Sequence, residues 1–95
     1  MSRQLSVTFR DGRLMAAYLY LRREPTDSVA RTTPTADGML VDYDSAAKPL
    51  GIEFTAPSHI TLNSVNSLLQ SLAEAPATVE ELWPLLRSSN ADAAA

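Results

Sequence analysis

The chain has 95 residues, a net charge of −3 and no cysteine. This length gives room for one domain, and the lack of cysteine excludes a disulfide framework, a thiolate nucleophile and a cysteine-based metal site. We expect no membrane span, because no run of about 18 apolar residues is present. The N-terminal segment also lacks the apolar core of a signal peptide, so the sequence favours a cytoplasmic protein.

Period-two alternation of apolar and polar residues predicts a β-hairpin over residues 4–22, turning at Asp11-Gly12. Its second strand, residues 14–22, is apolar or aromatic on both faces, which indicates a central position in a sheet. We expect one face to carry Met15, Ala17, Leu19 and Leu21, and the other to carry Leu14, Ala16, Tyr18 and Tyr20.

Three further strands follow the hairpin. Residues 28–35 predict a weak edge strand, since Pro34 cannot donate a hydrogen bond to a ladder. Residues 39–44 and 50–55 predict two stronger strands. In these strands we expect one face to carry Val41, Tyr43, Leu50, Ile52 and Phe54, and the opposite face to carry Asp42, Asp44 and Glu53.

Beyond Pro57 the periodicity becomes helical, with apolar residues at Leu62, Val65, Leu68, Leu69 and Leu72. Thr61 or Asn63 is the predicted N-cap. Ala75-Pro76 interrupts this helix, and a capping-box pattern from Thr78 to Glu81 predicts a second short helix. We expect that helix to turn Leu82, Trp83 and Leu86 inward.

Together these elements predict a single α+β domain over residues 1–87, with a disordered tail over residues 88–95. The domain would be an antiparallel four- to five-stranded meander sheet (residues 4–56). One or two C-terminal helices (residues 61–87) would pack on one of its faces. The pattern leaves open the order of the strands, and whether the helices pack on their own sheet or are exchanged with a second copy.

Three segments also carry a likeness to a known family: Ala17-Tyr18-Leu19-Tyr20-Leu21, Gly38-Met39-Leu40-Val41-Asp42-Tyr43-Asp44 and Leu50-Gly51-Ile52-Glu53-Phe54. In this order and spacing, residues 9–54 resemble the bacterial domain-of-unknown-function 2283 family. The resemblance implies a small β-rich protein that acts as a compact partner or regulator, with an antitoxin-like role and no established catalytic residues. Ala17 replaces an acidic residue usual in that family, and the helical extension from Leu62 is not part of its pattern.

The carboxylates of Asp42, Asp44 and Glu53 are the candidates for a metal site, since hard cations such as Mg²⁺ bind oxygen clusters. With His59, they would suit a small metal-dependent enzyme. Against this, Asp42 and Asp44 lie about 7 Å apart along a strand, and no nucleophile accompanies them. We expect Asp42 and Glu53 to pair with strand arginines and Asp44 to open a turn. We expect a surface or capping role for His59, and no cofactor.

Tyr18, Tyr20, Arg10 and Arg22 are the candidate interface residues, because tyrosine and arginine are enriched at the centres of protein interfaces. Aromatic residues and arginines on an open sheet also suit a binder of single-stranded nucleic acid, which we keep as an alternative.

Charge favours the protein partner. The acidic residues expected on the same face and the net negative charge would repel phosphates. Residues 1–31 carry a local charge of +3 and the remainder a local charge of −6, which indicates either pairing within the sheet or head-to-tail contact. We therefore predict a non-enzymatic, self-associating protein-interaction or regulatory module, with a homodimer as its simplest form.

Overall fold

The computed structural model describes residues 3–21 and 24–86. Its strands are β1 (Gln4–Arg10), β2 (Arg13–Tyr20), β3 (Arg31–Pro34), β4 (Met39–Tyr43) and β5 (Pro49–Phe54), followed by helix α1 (Leu62–Ser71). Residues 83–86 form one further helical turn. The α+β fold class is confirmed. The predicted tail, residues 88–95, lies outside the described residues.

The five strands form one antiparallel sheet in the order β1-β2-β5-β4-β3. β2 has a neighbour on each side, as its two apolar faces predicted. The connection from β2 to β3 runs to the opposite edge of the sheet, so that β5 rather than β3 lies beside β2. Pro34 is the last residue of the edge strand β3. Proline has no N–H to donate, and at this position the sheet needs no donor from it.

One face of the sheet, which we call the inner face, carries the hydrophobic core. Its fully buried side chains include Leu19, Val41, Ile52 and Phe54 on the strands, Val65 and Leu69 on α1, and Leu82 and Leu85 near the C-terminal end of the described chain. Burying one such side chain stabilises the fold by about 1.5–3 kcal/mol. The helical elements therefore pack on their own sheet.

β2 departs from the predicted alternation at Met15. The register pairs Thr8 with Ala16 and then Phe9 with Leu14, which leaves Met15 as the extra residue of a β-bulge. Leu14 therefore packs against the core, whereas Met15 is 51% exposed. The prediction that Met15 faces inward and Leu14 outward was wrong, because one inserted residue inverts the faces of the strand.

Helix α1 begins and ends at local signals. The hydroxyl of Thr61 accepts a hydrogen bond from the Ser64 N–H, and the hydroxyl of Ser64 accepts one from the Thr61 N–H, so the predicted N-cap at Thr61 is part of a capping box. At the other end Ala73 takes a φ of 59°, and the Glu74 N–H donates to the Leu69 carbonyl at 2.9 Å. This Schellman arrangement ends the helix and turns the chain back, so that Ala77 meets Asn66 of α1.

Two polar contacts hold the C-terminal segment in place. The Asn66 amide accepts from the Ala77 N–H at 2.7 Å and donates to the Ala77 carbonyl at 3.2 Å. Arg3, just before β1, donates to both carboxylate oxygens of Glu81 at 2.7 and 2.9 Å. The basic N-terminal part and the acidic C-terminal part thus meet within one chain.

The C-terminal segment also corrects one prediction. Thr78 accepts from the Glu81 N–H as the capping pattern predicted, but residues 79–82 form turns and the helical turn begins only at Trp83. Trp83 is 49% exposed, and Leu85 takes the inward position beside Leu82. The prediction of an inward Trp83 was wrong because it assumed a continuous helix from Thr78.

Candidate functional site

The face of the sheet opposite α1, which we call the outer face, holds the predicted interface tyrosines. The strand register arranges it as two cross-strand rows: Gln4, Tyr20, Gly51, Asp42 and Thr32; and Ser6, Tyr18, Glu53, Leu40 and Pro34. Side chains directly opposite each other on neighbouring strands lie on the same face. Tyrosines from β2 and carboxylates from β4 and β5 therefore share this surface.

A hydrogen-bonded chain crosses the outer face. The Tyr18 hydroxyl donates to Oδ2 of Asp42 at 2.6 Å, and the Thr32 hydroxyl donates to Oδ1 of the same carboxylate at 2.5 Å. Bonds from a hydroxyl to a carboxylate are charge-assisted and therefore stronger than bonds between neutral groups. The contact links β2, β4 and β3 across the intervening β5, and it holds Tyr18 in one orientation.

Gly51 makes that crossing possible. It lies on β5 between Tyr20 and Asp42, and a Cβ atom placed there would overlap the Tyr18 ring. The glycine is thus required for space. Gly51 was not among the predicted site residues, although a glycine inside a strand is a known signal for the close approach of another group.

Tyr20 lies beside Tyr18, with ring centroids 4.7 Å apart and the planes tilted by 56°. This is a favourable geometry for two aromatic rings. Tyr20 is 39% exposed, whereas Tyr18 is half-buried. The structure therefore brings together two of the four predicted interface residues as one aromatic pair.

Of the two predicted interface arginines, Arg10 lies away from this pair. Arg10 lies opposite Arg13 at the end of the hairpin. It is four residues beyond Ser6, the partner of Tyr18, which corresponds to about 13 Å along the strand. Arg22 lies outside the described residues.

The three candidate metal ligands have separate surroundings. Asp42 binds the hydroxyls of Tyr18 and Thr32, so the predicted pairing of Asp42 with a strand arginine was wrong: Tyr18 reaches the carboxylate across Gly51, and Thr32 reaches it from the neighbouring strand β3. Asp44 accepts from the Ala46 and Lys48 N–H groups at 2.9 and 2.8 Å and opens the β4–β5 turn, as predicted.

Glu53 is exposed on the outer face, in the row of Tyr18. Within residues 3–21 and 24–86, no group of three or more histidine, aspartate or glutamate side chains is placed to hold a metal ion. His59 is exposed in the short 3₁₀ turn Pro57–His59.

Basic side chains outside the outer face have partners of their own. Lys48 binds Asp27 at 2.8 Å, and this hydrogen bond raises the pKa of the Lys48 ammonium group. The Arg31 guanidinium lies 4.4 Å from the centre of the Tyr43 ring. These contacts join the loops around β3, β4 and β5.

No family model, curated protein or solved structure matches this chain. The resemblance of residues 9–54 to the bacterial family of unknown function stays a prediction. In the described part of the chain, no helix is long and apolar enough to cross a membrane.

Proposed function

We propose that the chain is a non-enzymatic, self-associating protein-interaction module, and that the outer face is its contact surface. The observation that carries this proposal is the partly exposed Tyr20 beside a Tyr18 ring held over Gly51. Tyrosines supply much of the binding energy at protein interfaces. A ring that is already oriented by its Asp42 bond loses little conformational freedom when a partner binds.

The charges of the outer face favour protein over nucleic acid as the partner. Asp42 and Glu53 lie within the same two rows as the tyrosines, so a phosphate backbone on this face would meet two carboxylates. A second copy presents the same combination of tyrosine hydroxyls and carboxylates, which can pair across a two-fold axis.

A regulatory role, including the antitoxin-like role that the family resemblance implies, would act through this surface. The proposal includes the cytoplasmic location and bacterial origin that the composition and the resemblance favour.

Sedimentation velocity at micromolar concentration tests the proposal with Tyr20→Glu. We expect the wild type to sediment as more than one copy of the 10.3-kDa chain. Tyr20→Glu should weaken self-association by about 30-fold, the equivalent of about 2 kcal/mol at a central interface tyrosine.

Tyr20→Phe is the matched control, since it keeps the ring and adds no charge; it should weaken association by about fivefold at most, the equivalent of about 1 kcal/mol for one hydroxyl hydrogen bond. A monomeric wild type, or a Tyr20→Glu variant with unchanged association, would contradict the proposal.

A further inference from the structure

The two edges of the sheet differ in how open they are to pairing. β3 has four residues and ends at Pro34, whereas β1 has seven residues and contains neither proline nor lysine. Short strands, prolines and lysines are the usual features that protect sheet edges from pairing with another chain. β1 is the other edge strand and lacks all three, so among residues 3–21 and 24–86 its outer edge is an unpaired row of backbone donors and acceptors.

β1 also carries an incompletely covered apolar row. Leu5 and Val7 are half-buried and pack against the core. Phe9 continues the row on the inner face, opposite Leu14, and is 53% exposed. Because β1 is an edge strand, the chain itself covers these side chains from one side only.

We infer that β1 pairs antiparallel with β1 of a second copy, around a two-fold axis through Val7. This axis pairs every residue of the strand: Gln4 with Arg10, Leu5 with Phe9, Ser6 with Thr8, and Val7 with Val7. Phe9 of each copy then lies beside Leu5 of the other on the inner face, and the two apolar rows become continuous.

Charge complementarity favours this register over its neighbours. It places no like charges opposite each other, and at both ends of the paired strands it brings Asp11 of the second copy alongside Arg3, whose guanidinium also binds Glu81 of its own chain. Moving the axis to Ser6 would put Phe9 opposite Arg3. Moving it to Thr8 would put Leu5 opposite Asp11. Both shifts leave every β1 side chain on the same face of the sheet. Each of them, however, replaces the Leu5–Phe9 pair with a contact between an apolar side chain and a charged one.

This edge is a different surface from the outer face of the proposed function, and it has a distinct consequence. Edge pairing would form one continuous ten-stranded sheet. The Tyr18–Tyr20 pairs of the two copies would then lie about 19 Å apart on one surface, because they are separated by three strand spacings (about 14 Å) and offset by four residues (about 13 Å) along the strands. If outer faces also stack, the closed assembly is a tetramer with two kinds of two-fold contact.

The test uses Phe9, because its side chain lies on the inner face and does not touch the outer-face contact. In a Tyr20→Glu background, which weakens that contact, we expect a dimer by sedimentation velocity. Adding Phe9→Glu should give a monomer, and adding Phe9→Leu, the matched apolar control, should keep the dimer. The inference is overturned if Tyr20→Glu alone is monomeric, or if adding Phe9→Glu leaves its mass unchanged.

A charge exchange in the same background tests the register itself. Ser6→Glu with Thr8→Glu places like charges opposite each other at both positions and should weaken association about tenfold or more. Ser6→Lys with Thr8→Glu places opposite charges there and should preserve the dimer. Both positions are exposed, so circular dichroism should show folded chains. Equal association of the two variants would overturn the register.

These outcomes are separate from those of the proposed function. The proposed outer-face contact fails if Tyr20→Glu leaves the mass of the wild type unchanged. The edge inference depends on whether the Tyr20→Glu variant is a dimer, and on the change that Phe9 and the Ser6/Thr8 pair make in that background.

Discussion

The two faces of the sheet are built from neighbouring residues of the same strands, yet they are held together differently. On the inner face, Leu19 and Ile52 are fully buried among aliphatic side chains. On the outer face, Tyr18 crosses Gly51 to reach Asp42. The inner face is stabilised by the apolar area that it removes from water. The outer face is stabilised by a few hydrogen bonds and ring contacts that require a particular geometry.

This difference determines what each face tolerates. Hydrophobic burial is non-directional and scales with area, so the inner face accepts changes that keep volume and apolarity. A hydrogen-bonded contact needs each atom in place. The free energy of unfolding should therefore respond to a small addition at one position of the outer face, and change little on substitution of outer-face residues that take no part in the contact. Three substitutions test this contrast.

The largest effect is expected on the inner face. Leu19→Ala should lower the free energy of unfolding by about 2–5 kcal/mol, because it removes a fully buried side chain and leaves a cavity. Urea denaturation measures the change. Ala16→Ser, at an exposed position on the same strand, is the control and should stay within about 0.5 kcal/mol of the wild type. Similar losses for the two variants would remove the distinction between the faces.

Gly51→Ala should have the next largest effect, although it adds only one methyl group. The new Cβ would overlap the Tyr18 ring, so the ring must move and its bond to Asp42 is lost. We expect a loss of about 1–3 kcal/mol, the range for an added group in a filled space.

A double-mutant cycle shows where that loss arises. In a Tyr18→Ala background Gly51→Ala should be nearly neutral, since the overlapping ring is absent. An undiminished loss in that background would mean that Gly51 is required for its backbone and not for the space above it.

Tyr18→Phe should have the smallest of the three effects. It removes one hydroxyl while keeping the ring over Gly51, and Asp42 keeps its bond to Thr32. We expect a loss of about 1 kcal/mol, a typical net contribution of one hydrogen bond. In an Asp42→Ala background the same substitution should change the unfolding free energy by much less. A loss as large as that of Leu19→Ala would contradict the contrast between the faces.

Much of the fold was predictable because its signals are local. Alternation predicted the strands, helical spacing predicted α1, and the cap at Thr61 follows from its position before the apolar stripe. The inward positions of Leu19, Val41 and Ile52 came from the same alternation, which a regular strand preserves.

The errors arose where regularity stops. Met15 is exposed because a bulge inserts one residue into β2, and a bulge leaves no clear mark in a run of apolar residues. Trp83 is exposed because the segment after Thr78 begins as turns. In both cases a periodic pattern was extended past the point at which the backbone changes its repeat.

The sequence by itself determined the α+β class, the existence of the strands and helix, and most of the inner face, because those depend on periodicity within one segment. It also placed Tyr18 and Tyr20 together on the face opposite the core. Only the tertiary structure decided the strand order and the contact between Tyr18 and Asp42, which are 24 residues apart in the chain. That contact depends on β5 entering between β2 and β4 with Gly51 in register, and a register between distant strands is not encoded in any single segment.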